Sequence, residues 1–155
     1  MTDMLGDTEF AQVIQRTPLV AVDLIIRDPD RRILVGLRAN EPAKGFYFIP
    51  GGRIRKNEKI KTAFARILKS ETGCLVAFEN ARFVGVFEHF YPNNRFGAPG
   101  YGTHVIVLAY EVSFDRRPEI VLDSQHSAFR WMHETELKVA TDVHDYTKAY
   151  FKGKS

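Results

Sequence analysis

One acidic residue in this chain continues an apolar helical stripe, and its placement points to metal chemistry. Apolar residues recur at i, i+3, i+4, i+7 and i+8, as on the buried face of a helix: Ile60, Ala63, Phe64, Ile67 and Leu68. Glu71 continues this stripe at i+11. A carboxylate beside a buried face costs free energy unless a positive group meets it. A metal ion is the simplest such group, although a buried arginine would also serve.

Residues on both sides of the stripe are typical of helix ends and of a short preceding strand. Asn57 is a favourable N-cap and Gly73 is a favourable C′ residue, so the helix is expected between them. Upstream, Tyr47-Phe48-Ile49 predicts a short buried strand that Pro50-Gly51-Gly52 ends. Glu71 would therefore lie at the far end of a strand-loop-helix unit.

Further strands and two further helices are predicted outside this unit. The turn Asp28-Pro29-Asp30 joins the first two strands into a hairpin. The predicted strands cover residues 19–27, 32–38, 82–91, 103–114 and 128–132, and the predicted helices cover residues 7–16 and 142–151. Residues 91–103 are rich in Gly, Pro and Asn and predict a loop beside a ligand.

Length and composition limit the class of protein. The 155 residues fit one domain, taken as residues 1–155. A net charge of +3, with dispersed Lys and Arg, argues against a nucleic acid as partner. No apolar run reaches the roughly 18 residues of a membrane span, which argues against a membrane partner. Cys74 is the single cysteine and the N-terminus lacks the pattern of a signal peptide, so we expect a cytoplasmic protein.

The spacing around Glu71 resembles the Nudix box. The chain has Gly52-x5-Glu58-x7-Arg66-x4-Glu71-x-Gly73, and the usual box is G-x5-E-x7-R-E-U-x-E-E-x-G-U. Ile67 and Ser70 occupy two positions that usually hold Glu. The resemblance implies the Nudix fold of the α/β class, in which a mixed β-sheet is sandwiched between α-helices. The two lost carboxylates argue against a cluster of several divalent ions that activates water for attack on phosphorus.

Segments outside the box resemble one branch of the family, the GDP-mannose mannosyl hydrolases. These segments are Arg16-Thr17-Pro18-Leu19-Val20, Leu37-Arg38-Ala39-Asn40-Glu41-Pro42-Ala43, Gly45-Phe46-Tyr47-Phe48-Ile49-Pro50-Gly51-Gly52-Arg53, Glu88-His89-Phe90-Tyr91, Asp123-Ser124-Gln125-His126 and Phe129-Arg130-Trp131. The resemblance runs from about residue 10 to residue 151. It implies a small-molecule nucleotide-sugar substrate and Mg²⁺, for which Mn²⁺ could substitute, and it leaves a homodimer open.

The resemblance also implies a metal site and a catalytic pair. Mg²⁺ would be held by the backbone carbonyl of Gly51, the carboxylate of Glu71 and the amide oxygen of Gln125, with diphosphate oxygens and water completing its shell. His126 matches the general base of the branch, a role that suits a side chain that titrates near neutral pH. Arg38 matches an arginine that contacts the diphosphate through two-point hydrogen bonding.

Four further residues are implied to bind the substrate: Asp23, Arg53, Arg66 and His89. Asp23 and His89 match positions near the sugar or the leaving group, and the two arginines resemble charges that face the phosphates. Two alternatives stay open: Arg66 could form an ion pair with Glu58, and His89 could be a core histidine. No role is assigned to the remaining histidines, of which the last two are expected at the surface: His104, His133 and His144.

The expected reaction is the hydrolysis of GDP-mannose, or a related GDP-sugar, to GDP and free sugar. His126 would deprotonate a water that attacks the anomeric carbon with inversion, while Mg²⁺ and Arg38 neutralise the departing diphosphate. Three alternatives stay open: a Nudix pyrophosphohydrolase that cuts a nucleoside diphosphate derivative at P–O, a catalytically silent Nudix domain that binds a nucleotide or a protein, and a nucleic-acid-binding module. Retention of Glu71, Gln125 and His126 argues against the silent domain, and the scattered charge argues against the last.

Overall fold

Seven strands and four α-helices form the part of the chain that the computed structural model describes, residues 4–121 and 126–152. In chain order they are α1 (Asp7–Arg16), β1 (Leu19–Arg27), β2 (Ile33–Arg38), β3 (Tyr47–Phe48), β4 (Gly51–Arg53), α2 (Ile60–Thr72), β5 (Arg82–Tyr91), β6 (Thr103–Ser113), β7 (His126–Met132), α3 (Glu134–Val139) and α4 (Asp145–Ala149). A 3₁₀ turn, Phe78–Asn80, precedes β5. Within these residues, no helix has the length and apolar character needed to cross a membrane.

The strands form one mixed sheet in the order β3-β2-β1-β6-β5, with β4 paired to β1 and β7 paired to β2. β1 and β6 run parallel, with Leu19 opposite Val105 and Arg27 opposite Ser113. The other pairs are antiparallel, including the predicted hairpin of β1 and β2. The prediction of a mixed sheet is therefore confirmed.

Alternate residues of β1 enter hydrophobic cores on the two faces of the sheet, because successive side chains of a strand point to opposite sides. On one face, Val22, Leu24 and Ile26 pack with the buried side of α2. On the other face, Ile25 packs with residues of the C-terminal segment, which include Leu137 of α3. The sheet therefore lies between helices, as the fold class predicted.

Helix α2 begins two residues later than an N-cap at Asn57 would require, so that prediction is wrong. The N-cap is Lys59, and Asn57 adopts a left-handed conformation with φ of 65°. A turn occupies the segment before the helix: Glu58 N donates to Arg55 O at 3.0 Å, and Arg55 N donates to Glu58 Oε1 at 3.0 Å. The predicted end of the helix is correct, because Gly73 ends it with φ of 71°.

The C-terminal segment also differs from the prediction. Residues 142–151 contain the five-residue α4 instead of one long helix, and α3 was not predicted. The prediction of a surface position for His144 is wrong: its ring is half-buried, stacks 4.6 Å from the Phe48 ring and accepts a hydrogen bond from Tyr146 N. His144 thus caps α4 and packs it against β3.

Asn94 organises the loop between β5 and β6. Its side chain is 0% exposed, and its Nδ2 donates to Ala98 O at 2.9 Å and to Tyr101 O at 3.1 Å. Its Oδ1 accepts from Phe96 N at 3.1 Å and from Ala98 N at 3.2 Å. One buried amide therefore satisfies four backbone groups of the loop and holds it beside the sheet.

Candidate active site

One cavity, of about 220 Å³, opens between β1, β2, β4 and the start of β7, and it is called the main cavity because it gathers most of the predicted site residues. A second cavity, of about 450 Å³, adjoins it. Six residues singled out from the sequence line the main cavity: Asp23, Arg38, Gly51, Arg53, His89 and His126. Residues of α1 and of the loop between β5 and β6, Phe10 and Arg95, complete its wall. The structure thus brings together residues that lie more than a hundred positions apart in the chain, as a common substrate site requires.

Arg38 is held rigidly at the end of β2. Its Nη1 donates to Pro42 O at 2.9 Å, and its guanidinium carbon lies 3.9 Å from the centroid of the Phe48 ring. The Tyr91 ring lies on another side at 5.8 Å. Stacking on aromatic rings suits the planar guanidinium better than an ammonium group. A fixed positive charge therefore faces the cavity.

Asp23 projects from β1 into the cavity and has a partner. Tyr150 donates a hydrogen bond from its hydroxyl to Asp23 Oδ2 at 2.6 Å. Burial raises the pKa of Asp23 to about 6, although the Tyr150 hydrogen bond and the charge of Arg38 oppose the shift. A Cβ atom on Gly51 would overlap Asp23 Oδ1, so only glycine lets β4 pass this carboxylate so closely.

His89 lies in β5 at the inner wall of the cavity and is only 4% exposed. Burial lowers its pKa to about 4, assisted by the charges of Arg38 and His144, so the ring is neutral at neutral pH. Its Nε2 lies 3.3 Å from the Tyr150 hydroxyl, and its ring stacks on Tyr146 at 4.2 Å. His89 therefore combines the buried position of a core histidine with a place in the cavity wall.

His126 begins β7 and lies opposite Arg38 of β2 in the strand register. Its ring packs on Gly36: a Cβ atom there would lie 2.7 Å from His126 Cδ2. A small pocket beside the main cavity contacts both His126 and Glu71. His126 thus borders both the main cavity, which Arg38 lines, and the small pocket, which Glu71 lines.

Arg66 forms the ion pair with Glu58 that the sequence left open. Its Nε donates to Glu58 Oε2 at 2.8 Å, and its Nη2 donates to Glu58 Oε1 at 2.9 Å and to Arg53 O at 2.8 Å. The same hydrogen bonds lower the pKa of Glu58. Arg66 also lines the second cavity, so its contact with a phosphate stays a prediction.

The second cavity contains two of the predicted metal ligands, Gly51 and Glu71. Ile67 and Ser70 line the same cavity, but neither side chain carries a carboxylate. Among residues 4–121 and 126–152, no group of three or more His, Cys, Asp or Glu could hold a metal. The carbonyl and carboxylate oxygens suit one hard cation such as Mg²⁺, and Gln125 lies outside the described residues.

Three residues of the site were not singled out from the sequence: Phe10, Arg95 and Tyr150. The guanidinium carbons of Arg53 and Arg95 lie 4.9 Å and 5.6 Å from the Phe10 ring centroid. The Gly, Pro and Asn content around Arg95 had predicted a loop beside a ligand, and this loop does border the cavity. No local pattern singles out Tyr150, because its partner Asp23 lies 127 residues away.

A family model and one curated relative match most of this chain, and a second relative matches a shorter segment. A family model described as NUDIX domain matches residues 17–152. The low-salt glycan biosynthesis protein Agl8 of Haloferax volcanii is 37% identical over 130 residues, which cover 83% of this chain and 80% of that protein. An ADP-ribose pyrophosphatase of Methanocaldococcus jannaschii is 43% identical over 58 residues, which cover 37% of this chain and 34% of the relative.

Solved structures share the fold at low sequence identity. A MutT protein from Methanosarcina mazei is 18% identical with a TM-score of 0.71, and the match covers 88% of this chain and 93% of that one. The NUDIX domain of Shewanella oneidensis NrtR, solved with ADP ribose, is 16% identical with a TM-score of 0.65, covering 95% and 96%. These likenesses concern the arrangement of the helices and strands.

Proposed function

This chain belongs to the Nudix family of hydrolases, and we propose that it hydrolyses GDP-mannose, or a related GDP-sugar, to GDP and free sugar with Mg²⁺. The observation that carries the proposal is the composition of the site. A fixed arginine and a histidine lie opposite each other at the main cavity, while the box helix contributes one carboxylate instead of several.

The lost carboxylates favour attack on carbon over attack on phosphorus. Ile67 and Ser70 line the second cavity beside Glu71 but offer no carboxylate, so Glu71 is the only carboxylate that α2 offers to a metal there. A cluster of ions that makes hydroxide for attack on phosphorus needs several such ligands. When bound, Mg²⁺ would neutralise part of the diphosphate charge and make the diphosphate a better leaving group.

The protein groups divide the remaining work. Arg38 binds the diphosphate and stabilises the negative charge that grows as this group departs. His126 accepts a proton from water, whose oxygen forms a bond to the anomeric carbon. The bond between that carbon and the β-phosphate oxygen breaks, and its electron pair leaves with GDP. The sugar is released with inverted configuration, and His126 passes its proton to solvent.

Asp23 and His89 supply the contacts expected for the sugar. The carboxylate lies in the cavity wall and can accept hydrogen bonds from sugar hydroxyls. A relative that takes part in glycan biosynthesis is consistent with a substrate that carries an activated sugar. Both points support a nucleotide sugar over a nucleoside triphosphate.

A second candidate function is cleavage at P–O, which would yield GMP and sugar phosphate. The similarity of 58 residues to an ADP-ribose pyrophosphatase favours it. The two reactions break different bonds. Each therefore incorporates the oxygen of water into a different product.

Hydrolysis in ¹⁸O-labelled water decides between them. Incubation with GDP-mannose and Mg²⁺, followed by mass spectrometry, should place the label in free mannose and none in the nucleotide. Proton NMR during the first turnovers should show the inverted anomer. Label in a phosphate would contradict the glycosyl mechanism and support pyrophosphohydrolysis, and no turnover of GDP-mannose would contradict the proposed substrate.

A further inference from the structure

Tyr150 connects two predicted substrate-binding residues that come from different strands. Its hydroxyl lies 2.6 Å from Asp23 Oδ2 of β1 and 3.3 Å from His89 Nε2 of β5. The tyrosine directly follows α4 and is 7% exposed, so its hydroxyl is confined to this position. The mechanism above uses Asp23 and His89 and gives Tyr150 no part.

The direction of each hydrogen bond follows from the available protons. Tyr150 has one hydroxyl proton and gives it to the Asp23 carboxylate, so its oxygen accepts from His89 Nε2–H. A neutral His89 then carries its proton on Nε2 and leaves Nδ1 as an acceptor. The Tyr91 hydroxyl, 3.5 Å from Nδ1, is the donor on that side. The chain of hydrogen bonds therefore runs from Tyr91 to Asp23.

The Asp23 carboxylate is restrained from two directions. Tyr150 holds Oδ2, and Oδ1 lies so close to the backbone of Gly51 that a Cβ there would overlap it. Burial raises the pKa of the Tyr150 phenol, so the hydroxyl keeps the proton that it donates. A carboxylate fixed in this way is ready to accept a hydrogen bond without reorganising when a ligand arrives.

We propose that Tyr150 is a positioning residue, which fixes the orientation of the Asp23 carboxylate and the tautomer of His89 so that the cavity recognises a sugar hydroxyl. This inference rests on the proposed function, because it takes the sugar of a nucleotide sugar as the group that Asp23 binds. Tyr150 itself contacts these two side chains and acts through them.

The kinetic test compares Tyr150→Phe with Tyr146→Phe. Tyr146 also contacts His89, but by ring stacking, which phenylalanine keeps; its hydroxyl bonds to the backbone of Phe90. Tyr150→Phe should lower kcat/KM for GDP-mannose by about tenfold, mostly through KM, as expected for a weakened hydrogen bond to a charged group. The inhibition constant of GDP should stay within about twofold, and so should kcat/KM of Tyr146→Phe.

A double-mutant cycle shows whether Tyr150 acts through Asp23. In an Asp23→Ala background, Tyr150→Phe should cause no further loss of kcat/KM, because coupled residues are not additive. An equal loss in that background, an equal loss in Tyr146→Phe, or no loss in Tyr150→Phe would each overturn the proposal.

A spectroscopic readout separates this inference from the proposed function. Long-range ¹H–¹⁵N spectra of wild-type protein with labelled histidine, with His89 assigned by His89→Gln, should show the proton on Nε2. Tyr150→Phe should remove that preference. A proton on Nδ1 of wild-type His89 would overturn the proposal without any variant. If wild type does not hydrolyse GDP-mannose, the proposed function fails, while these spectra still decide the positioning role.

Discussion

At the scale of single residues, four side chains with predicted roles in the reaction meet at the main cavity. Asp23, Arg38, His89 and His126 were singled out from the branch resemblance, and all four line the main cavity. Their environments come from distant positions: Tyr150 bonds to Asp23 across 127 residues, and no spacing rule reaches that far. Their predicted roles in the reaction are best tested one side chain at a time.

His126→Gln should lower kcat for GDP-mannose by about 10²–10⁴, the usual contribution of a general base. The amide can still form a hydrogen bond but cannot accept the proton of water at neutral pH. Steady-state kinetics with saturating Mg²⁺ measure the effect. His133→Gln is the matched control, because His133 is exposed and bonds to Arg32 outside the cavity. An unchanged kcat in His126→Gln would remove this residue from the role of base.

The pKa values of Asp23 and His89 shift in opposite directions, which predicts a specific dependence of stability on pH. His89 has a folded pKa of about 4 against an ordinary 6.5, so its contribution to stability is complete above about pH 6.5 and is lost as pH falls through 4. Asp23 has a folded pKa of about 6 against an ordinary 3.8, so its contribution is complete below about pH 3.8 and is lost as pH rises through 6. Between pH 4 and 6, a rise in pH increases the contribution of His89 to the free energy of unfolding and decreases that of Asp23.

Asp23→Asn removes the pH dependence that Asp23 contributes to the free energy of unfolding, so the pH dependence from His89 should remain. Relative to wild type, the free energy of unfolding of the variant should fall by up to about 3 kcal/mol between pH 6 and pH 4, since each pKa unit corresponds to about 1.4 kcal/mol. Urea unfolding at several pH values measures it, with Asp115→Asn at an exposed site as the control. Parallel curves for Asp23→Asn and wild type would contradict the shifted pKa of this carboxylate.

At the scale of helices and strands, periodicity predicted more than capping did. The bounds of α1, β1 and β5 match the prediction, because apolar residues recur with helical spacing in α1 and are frequent in both strands. The start of α2 does not, because the turn that Glu58 makes with Arg55 displaces the helix start from Asn57 to Lys59. The buried apolar stripe of α2 is one residue shorter than predicted. The later helix start places Ile60 in the first turn, where it is 40% exposed.

Strand β2 contains a glycine whose missing side chain makes room for the candidate base. Gly36→Ala places a Cβ 2.7 Å from His126 Cδ2, so the ring must move although the pairing of β2 with β7 can persist. We expect kcat to fall by about 10–10²-fold, since a displacement of about 1 Å can have that effect. Gly6→Ala is the control, because nothing lies within 4 Å of its Cβ. Full activity in Gly36→Ala would contradict a base held in one position.

At the scale of the whole molecule, the fold class and the family followed from the sequence, whereas the long-range contacts that hold the site together, such as Tyr150 with Asp23, did not. The residues predicted for the site come from α2, from several strands and from the loop of residues 91–103, and the structure builds the cavity wall from β1, β2, β4, β5, β7 and the loop around Asn94. A ligand that touches so many elements should stabilise the entire fold, because binding to the native state alone raises the free energy of unfolding.

Mg²⁺ with GDP should therefore raise the Tm of wild type by roughly 2–8 °C when the ligands are well above their dissociation constants. Glu71→Gln should fold with a similar Tm but lose the part of the shift that depends on Mg²⁺, together with most activity. Glu79→Gln changes an exposed glutamate paired with Lys61 and should behave as wild type. A full Mg²⁺-dependent shift in Glu71→Gln would remove Glu71 from the ligands.

The parallel pairing of β1 with β6 has a consequence for synthesis of the chain on the ribosome. Leu19 and Val105 are partners although 86 positions separate them, since 105 − 19 = 86. Closing so long a loop is slow compared with forming a local hairpin. Until β6 leaves the exit tunnel, one edge of β1 has no partner strand, and its unpaired backbone N–H and C=O groups are open to other chains. The centre of the sheet is therefore completed late, and a nascent chain that stalls before Thr103 is a natural client for chaperones.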